Sequence, residues 1–237
     1  PRAGNMAAKQ HPTIAMRPAQ SVLQLDTDFP RIAGDVGCAE TYLSDIEIIR
    51  IKAATVAKVV TNRPQDIEIG PFESALSAAR GEVIVTSCGF LSYWQIHLAA
   101  LTEKPFISSS LIALDTLSRR YTPDELLILT FDANSLTAAH LGKHKSYTTS
   151  ILGLPETNHL RRVIAENQTH LDTGRATKEI TAHVAAHITP KHRHILLECT
   201  NLPPYKATLT AQTGLPVTDI LTLIEAKRAG TVHTDFL

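Results

Sequence analysis

The feature that most constrains this chain is a regular alternation of short apolar runs with segments of helical length. Runs rich in Val, Ile and Leu lie at residues 22–25, 82–86, 104–108, 126–130 and 194–198. Segments with helical spacing alternate with them at residues 46–62, 89–103, 112–119, 177–188 and 204–213, and residues 215–220 lead into a final helix. Strands that alternate with helices are typical of parallel sheets flanked by helices. The sequence therefore predicts an α/β protein.

The alternating pattern occurs twice along the chain. Each series opens with an apolar strand that ends in polar residues, at Asp26 in the first and at Thr130 in the second. Each series later contains a strand that ends in a cysteine, Cys88 and Cys199. We therefore predict two related lobes that face each other. The predicted boundaries are residues 20–119 for the first lobe, 120–214 for the second and 215–237 for a C-terminal segment.

Residues 1–19 are predicted to form a separate N-terminal segment. Within it, Met6 is read as the native initiator and residues 1–5 as a cloning remnant. The segment has no apolar core like that of a signal peptide. We therefore expect a cytoplasmic protein whose three cysteines are free thiols rather than disulfides.

Charge and composition exclude several classes of partner. The chain has 23 Lys and Arg against 23 Asp and Glu, a net charge of zero, and 43% hydrophobic residues. This balance gives no basic surface for nucleic acid or for an anionic membrane. No stretch approaches the roughly 18 apolar residues that a membrane span requires. We expect a small-molecule partner, no nucleic acid and no membrane, and the sequence leaves homo-oligomerisation open.

Both strand-end cysteines occupy the same kind of position. Each of Cys88 and Cys199 directly follows an apolar strand and precedes a helix. Ligands of open α/β sheets bind at the carboxyl ends of strands, and a helix start there favours a carboxylate. The same field lowers the pKa of a neighbouring thiol, although free cysteine is also common as a small buried hydrophobe. We predict two reactive thiols that flank one anion. Cys38 has no counterpart and is interpreted as incidental.

Three segments of the chain resemble the aspartate/glutamate racemase superfamily: LDTDFPR at 25–31, TSCGFL at 86–91 and ECTNLPP at 198–204. The tail TGLPVTD at 213–219 is similar to the final segment of that family. The resemblance covers nearly the whole chain. It implies two lobes related by a pseudo-twofold axis with an active site between them, a C-terminal segment that returns to the first lobe, and no pyridoxal phosphate, metal or other cofactor.

The resemblance also implies roles for individual residues. Cys88 and Cys199 match the catalytic pair, and Asp26 matches the acidic residue that supports the first cysteine. Positions that touch the substrate in the family are occupied here by Gly89, Phe90, Thr200 and Asn201. Amino-acid racemases usually carry Asn-Thr and Thr-Glu at these positions. The Cys-Gly-Phe motif with Cys-Thr-Asn-Leu-Pro-Pro downstream also resembles the algal dimethylsulfoniopropionate lyase branch, which removes an α-proton and expels a leaving group.

Two thiols suit a reaction at a carbon next to a carboxylate. Inversion of a stereocentre requires removal of a proton on one face and return of a proton on the other, which one thiolate and one thiol provide without a cofactor. We therefore predict a cofactor-independent racemase acting on a small carboxylate. Two alternatives remain: a lyase or decarboxylase of the same superfamily, and a non-catalytic anion-binding protein with structural cysteines.

Other polar residues are weaker candidates for the site. Arg31 is a candidate partner for a second carboxylate, with a solvated loop arginine as the alternative. Thr130 and Asn134 are candidates to hold the substrate carboxylate, although such residues at strand ends are often turn formers. Four histidines near the end of the second lobe lack the Glu of a zinc protease motif, so we predict a solvated helix face and no metal site. These histidines are His183, His187, His192 and His194.

Overall fold

A computed structural model describes residues 16–237, so the predictions for Met6 and for residues 1–5 lie outside the described residues. The described chain forms two four-stranded sheets in which all pairings between neighbouring strands are parallel. The strands are β1 Gln20–Gln24, β2 Ile46–Arg50, β3 Val83–Thr86, β4 Phe106–Ile107, β5 Leu126–Thr130, β6 Ile151–Gly153, β7 His194–Leu197 and β8 Val217–Thr218.

The two sheets have the same topology. The first has the order β2-β1-β3-β4 and the second the order β6-β5-β7-β8, so each strand has a counterpart four strands later. Strands β3, β5 and β7 are buried at every residue, as expected for parallel strands covered on both faces. The predicted fold class, two α/β lobes with parallel sheets, is confirmed.

Helices and 3₁₀ turns connect the strands of each lobe. None of the helices within residues 16–237 is long and apolar enough to cross a membrane. The α-helices are α1 Val56–Val59, α2 Gly70–Ala78, α3 Gln95–Ala99, α4 Leu114–Leu117, α5 Ala138–Leu141, α6 His159–Ala165, α7 Thr173–His187, α8 Lys206–Thr213 and α9 Ile220–Lys227.

The helical spacing predicted over residues 46–62 is wrong for its first part. Residues Ile46–Arg50 form β2, which pairs in parallel with β1, and α1 is the only helical part of the segment. The β-branched residues of β2 favour an edge strand once β1 offers a partner. Ala53, at φ 67°, then ends the extended segment.

Two predicted helices are broken into shorter pieces. Residues 89–103 form a 3₁₀ turn over Gly89–Trp94 followed by α3, and residues 112–119 give a 3₁₀ turn over Ser110–Ala113 followed by α4. The pattern alone does not single out α2, β6 or α6. Elements of three to nine residues carry too few apolar positions to show a clear period.

The hydrophobic core joins the lobes. One cluster contains Leu23 and Ile84 of the first sheet together with Ile128 and Leu196 of the second. The C-terminal helix α9 packs on the opposite face of the first sheet, in a cluster with β1 and β3. Strand β8, however, pairs with β7. Residues 217–218 therefore belong to the second sheet, whereas the predicted boundary after residue 214 assigned them to the C-terminal segment.

Candidate active site

The topology places the two cysteines at the carboxyl ends of corresponding interior strands in the two sheets. Cys88 follows β3 and Cys199 follows β7, the third strand along the chain in each lobe. Both line one cavity that opens to solvent. Its walls are formed by Leu25, Phe29, Arg31, Val56, Val60, Ser87, Cys88, Gly89, Phe90, Phe131, Ile164, Glu198, Cys199, Thr200 and Asn201.

Hydrogen bonds tie the two cysteine-bearing loops directly to each other. The hydroxyl of Thr200, next to the second cysteine, donates to the carbonyl of Ser87, next to the first, at 2.6 Å. The hydroxyl of Ser110 donates to the carbonyl of Leu197 at 2.6 Å. Both bonds are buried and both cross from one lobe to the other. The structure therefore brings the two predicted thiols to one cavity, each from a different lobe.

A chain of polar contacts links Arg31 to Cys199. The Arg31 guanidinium donates from Nη1 to Asp35 Oδ1 at 2.9 Å and from Nη2 to the Thr27 hydroxyl at 3.1 Å. Asn201 Nδ2 donates to Asp35 Oδ2, and the Cys199 thiol donates to Asn201 Oδ1 at 3.7 Å. The Arg31 side chain is 9% exposed, so it is a buried, oriented cation and not a solvated loop arginine.

The prediction of a lowered thiol pKa is wrong for both cysteines. Burial, followed by the charge of Glu198, raises the pKa of Cys88 to about 12. The same two causes raise the pKa of Cys199 well above its usual value. Backbone N–H groups of the following turns lower both values, as the prediction assumed, but loss of solvation outweighs them. Both thiols are therefore protonated at neutral pH.

Glu198 is a site residue that the sequence interpretation did not include. It lines the cavity with 1% of its surface exposed, and its Oε2 accepts a hydrogen bond from the Thr130 hydroxyl at 2.6 Å. Its Oε1 has no hydrogen-bond partner among residues 16–237. Burial raises the pKa of this carboxyl to about 7. The signal available in the sequence was an acidic residue directly after the buried strand β7.

Three predicted residues are not brought to the cavity walls. Asp26 accepts hydrogen bonds from the backbone of Ala53 at 2.8 Å and from Arg50 Nε at 2.6 Å, and these hold its pKa below the usual value. Thr130 lies behind Glu198 and contacts the site through it. Asn134 is exposed in the turn after β5, where its backbone N–H bonds Asp132. Asp26 bonds Arg50 and Ala53 and does not line the cavity that contains Cys88, so these contacts do not support its predicted role beside Cys88.

Aromatic side chains form much of the remaining wall. Of these, Phe90 was predicted, whereas Phe29 and Phe131 were not. The Arg31 guanidinium lies 4.8 Å from the centre of the Phe29 ring, and His140 packs edge-on against Phe90 at 5.0 Å between centroids. The cavity therefore combines one fixed cation and one buried carboxyl with apolar walls.

The histidines of the second lobe make structural contacts. His183 Nε2 lies 2.8 Å from the carbonyl of Gly153, and His194 Nε2 lies 2.8 Å from the Thr218 hydroxyl. The part of the chain that the structure describes contains no group of three or more His, Cys, Asp or Glu residues able to hold a metal ion. The Cys38 thiol bonds Glu40 at 3.3 Å and does not line the cavity.

The fold is similar to that of solved racemases and of a decarboxylase. Allantoin racemase from Klebsiella pneumoniae superposes with a TM-score of 0.59 at 14% identity, covering 92% of each chain. Arylmalonate decarboxylase superposes with a TM-score of 0.55 at 16% identity, covering 91% of this chain and 96% of its own. A glutamate racemase from Bacillus anthracis gives a TM-score of 0.50 at 12% identity, over 90% and 84% of the two chains. At such identities the likeness concerns the fold alone.

Within that fold, the sequence is similar to dimethylsulfoniopropionate lyases. Dimethylsulfoniopropionate lyase 5 of Emiliania huxleyi is 29% identical over 88% of this chain and 44% of its own length. Lyase 6 of the same organism is 28% identical over 88% of this chain and 58% of its own length. The chain thus spans about half the length of the curated relatives it matches. No family model matches the chain. The resemblance to the superfamily, and to its dimethylsulfoniopropionate lyase branch, is confirmed.

Proposed function

We propose that this chain is a cofactor-independent lyase that removes the α-proton of a small carboxylate and expels a leaving group from the β-carbon. The observation that carries the proposal is the placement of two thiols, Cys88 and Cys199, around one cavity with a buried guanidinium, Arg31. Similarity to dimethylsulfoniopropionate lyases along most of the chain supports dimethylsulfonium as the leaving group.

Arg31 is suited to hold the substrate carboxylate. Asp35 and Thr27 fix two of its N–H groups, and a guanidinium has five, so further donors remain for a ligand. Removal of the α-proton develops negative charge on the carboxylate oxygens. A cation already fixed beside those oxygens stabilises that charge without reorganisation.

A cysteine thiolate then acts as the base. The thiolate takes the α-proton, the electrons of the broken C–H bond form the Cα–Cβ double bond, and the Cβ–S bond breaks with its electron pair on sulfur. The products are acrylate and neutral dimethyl sulfide. The resting thiol gives its proton to solvent to form the thiolate and is restored by the α-proton, so each turnover releases one proton. The high pKa values of both thiols are compatible with this step because a sulfonium entering the cavity favours a nearby negative charge.

The test is incubation with dimethylsulfoniopropionate in D₂O, followed by NMR. We expect dimethyl sulfide and acrylate in equal amounts, and no product with a variant carrying both Cys88→Ser and Cys199→Ser. Substrate recovered unchanged, with neither product, would contradict the proposal.

A racemase remains the second candidate because thiols from both lobes reach the same cavity, as two-sided proton transfer requires. The same NMR experiment on glutamate, aspartate and allantoin separates the two functions. A racemase gives deuterated substrate at the stereocentre and no new product, whereas the proposed lyase leaves these compounds unlabelled.

A further inference from the structure

We propose that Glu198 is the counter-ion for the positively charged group of the substrate, so that the cavity selects a zwitterion with its carboxylate at Arg31 and its onium centre at Glu198. This inference rests on the proposed elimination and assigns the residue that recognises the onium centre of its substrate. It also gives a role to a buried carboxyl that the elimination step itself does not use.

The first observation concerns the two oxygens of the Glu198 carboxyl, only one of which has a hydrogen-bond partner within the described residues. Glu198 is 1% exposed, and its Oε2 accepts the Thr130 hydroxyl at 2.6 Å. Its Oε1 is buried without a hydrogen-bond partner in the described part of the chain, although Glu198 lines the cavity. Buried polar atoms are normally paired, and an unpaired one on a cavity wall is available to pair with a ligand group.

The second observation is that the opposite lobe leaves room for this oxygen. A Cβ on residue 89 would overlap Glu198 Oε1 and would lie 2.9 Å from the Ser109 hydroxyl oxygen. Any side chain at this position would therefore displace the carboxyl. The lack of a side chain at Gly89 is therefore what accommodates the Glu198 carboxyl.

The third observation concerns the charges around the carboxyl. The titratable groups on the same cavity are the thiols of Cys88 and Cys199 and the guanidinium of Arg31, which is ion-paired with Asp35 and not with Glu198. The hydroxyls of Thr130 and Ser109 complete the immediate surroundings. None of these groups supplies a free cation to Glu198. A substrate cation would supply it.

The walls suit the same kind of group. The rings of Phe29, Phe90 and Phe131 line the cavity with Glu198. Aromatic faces attract cations whose charge is carried by methyl groups, because such cations lose little hydration on binding. A dimethylsulfonium group therefore finds both a counter-charge and apolar contacts for its methyl groups.

Proton release on binding provides the test. Because the pKa of Glu198 lies at about 7, roughly nine-tenths of this carboxyl is protonated at pH 6, and pairing with a cation ionises it. Calorimetry in two buffers of different ionisation enthalpy measures the released proton. The protein carries Cys88→Ser and Cys199→Ser, so that neither turnover nor a thiol proton contributes.

Two ligands of similar shape, one with a positive charge and one without, distinguish the effect of charge on binding from the effect of size. For dimethylsulfoniopropionate we expect release of about 0.9 proton at pH 6 and little at pH 8. For 4-methylpentanoate, which replaces the sulfonium by a CH group, we expect no release at either pH. Adding Glu198→Gln should abolish the release and weaken dimethylsulfoniopropionate roughly 10- to 100-fold at pH 8, while 4-methylpentanoate changes by less than about twofold.

Glu156→Gln, at an exposed loop carboxyl, is the matched control and should leave both ligands unchanged. Proton release that persists after Glu198→Gln, an equal loss for both ligands, or no measurable binding of the zwitterion would overturn the inference. Product formation by the protein with intact thiols is measured separately. The lyase proposal and the role of Glu198 therefore fail or hold independently.

Discussion

The two strand-to-turn junctions that carry the cysteines have the same place in the topology and different chemistry. The junction at 86–90 reads Thr-Ser-Cys-Gly-Phe, and the junction at 197–201 reads Leu-Glu-Cys-Thr-Asn. In the first, small residues and an aromatic ring surround Cys88. In the second, three polar side chains surround Cys199, and two of them bond groups of the other lobe.

The site is therefore asymmetric although the fold is repeated. The first junction provides space, at Gly89, and an apolar wall, at Phe90. The second provides the hydrogen bonds and the buried carboxyl. Two-sided inversion requires equivalent proton transfers from both thiols, whereas elimination requires one thiolate to accept the α-proton and leaves the other thiol free for a different role. The unequal junctions favour elimination.

Replacement of each cysteine in turn tests whether the two junctions have different roles in catalysis. Cys88→Ser and Cys199→Ser should reduce product formation unequally, with a loss of about 10²- to 10⁴-fold for the thiol that acts as base and a loss at least tenfold smaller for the other. Initial rates of dimethyl sulfide release measure both. Cys38→Ser, away from the cavity, serves as the control and should stay near the parent rate. Equal losses, combined with α-deuteration, would instead indicate a racemase.

The carboxyl of the second junction should make stability depend on pH. Burial raises the pKa of Glu198 to about 7 from the usual value of 4.5 for a glutamate carboxyl. The folded state therefore binds more protons than the unfolded state between these values, and the contribution is complete below pH 4.5 and lost as pH rises through 7. We expect Glu198→Gln to gain up to about 3 kcal/mol in free energy of unfolding relative to the parent between pH 5 and pH 8. Denaturant unfolding of the parent and the variant at pH 5 and pH 8 measures this gain. A stability difference that is the same at both pH values would contradict the raised pKa of Glu198.

The amide of the second junction has no counterpart in the first. Asn201→Ala removes the donor to the buried Asp35 carboxylate and the acceptor of the Cys199 thiol. We expect a loss of about 1–3 kcal/mol in free energy of unfolding, because Asp35 Oδ2 loses its partner. Thermal and urea unfolding measure the change. Asn134→Ala, at an exposed turn, should change stability by less than about 0.5 kcal/mol. Similar losses for both variants would show that the interlobe contact contributes nothing particular.

The two thiols should also differ slightly in their rates of alkylation. Arg31 lowers the pKa of Cys88, whereas the neighbouring Cys88 and Asp35 raise that of Cys199. Iodoacetamide should therefore modify Cys88 before Cys199, and both should react more slowly at pH 8 than a solvated thiol. Peptide mass spectrometry of the native protein gives the two rates. Faster modification of Cys199 would reverse the order of acidity that these charges imply.

The sequence predicted the features that depend on local pattern. The apolar runs gave strands such as β3, β5 and β7, and the repeated series gave two lobes, because a buried parallel strand must be apolar at nearly every residue. The same pattern failed at β2, an edge strand whose structure depends on pairing with β1. Short elements such as β6 carry too little periodicity to be recognised.

Within the site, the positions of Cys88 and Cys199 after corresponding strands could be predicted from the sequence alone, because the end of a strand is a local property. The groups that surround the two cysteines depend on tertiary contacts. It turned Asp26 toward Arg50, drew Arg31 into the cavity against Asp35, and set Glu198 against Gly89 across the lobe boundary. It also reversed the predicted acidity of the thiols. A pKa depends on how much water remains around a group, and that is fixed only when two distant parts of the chain pack against each other.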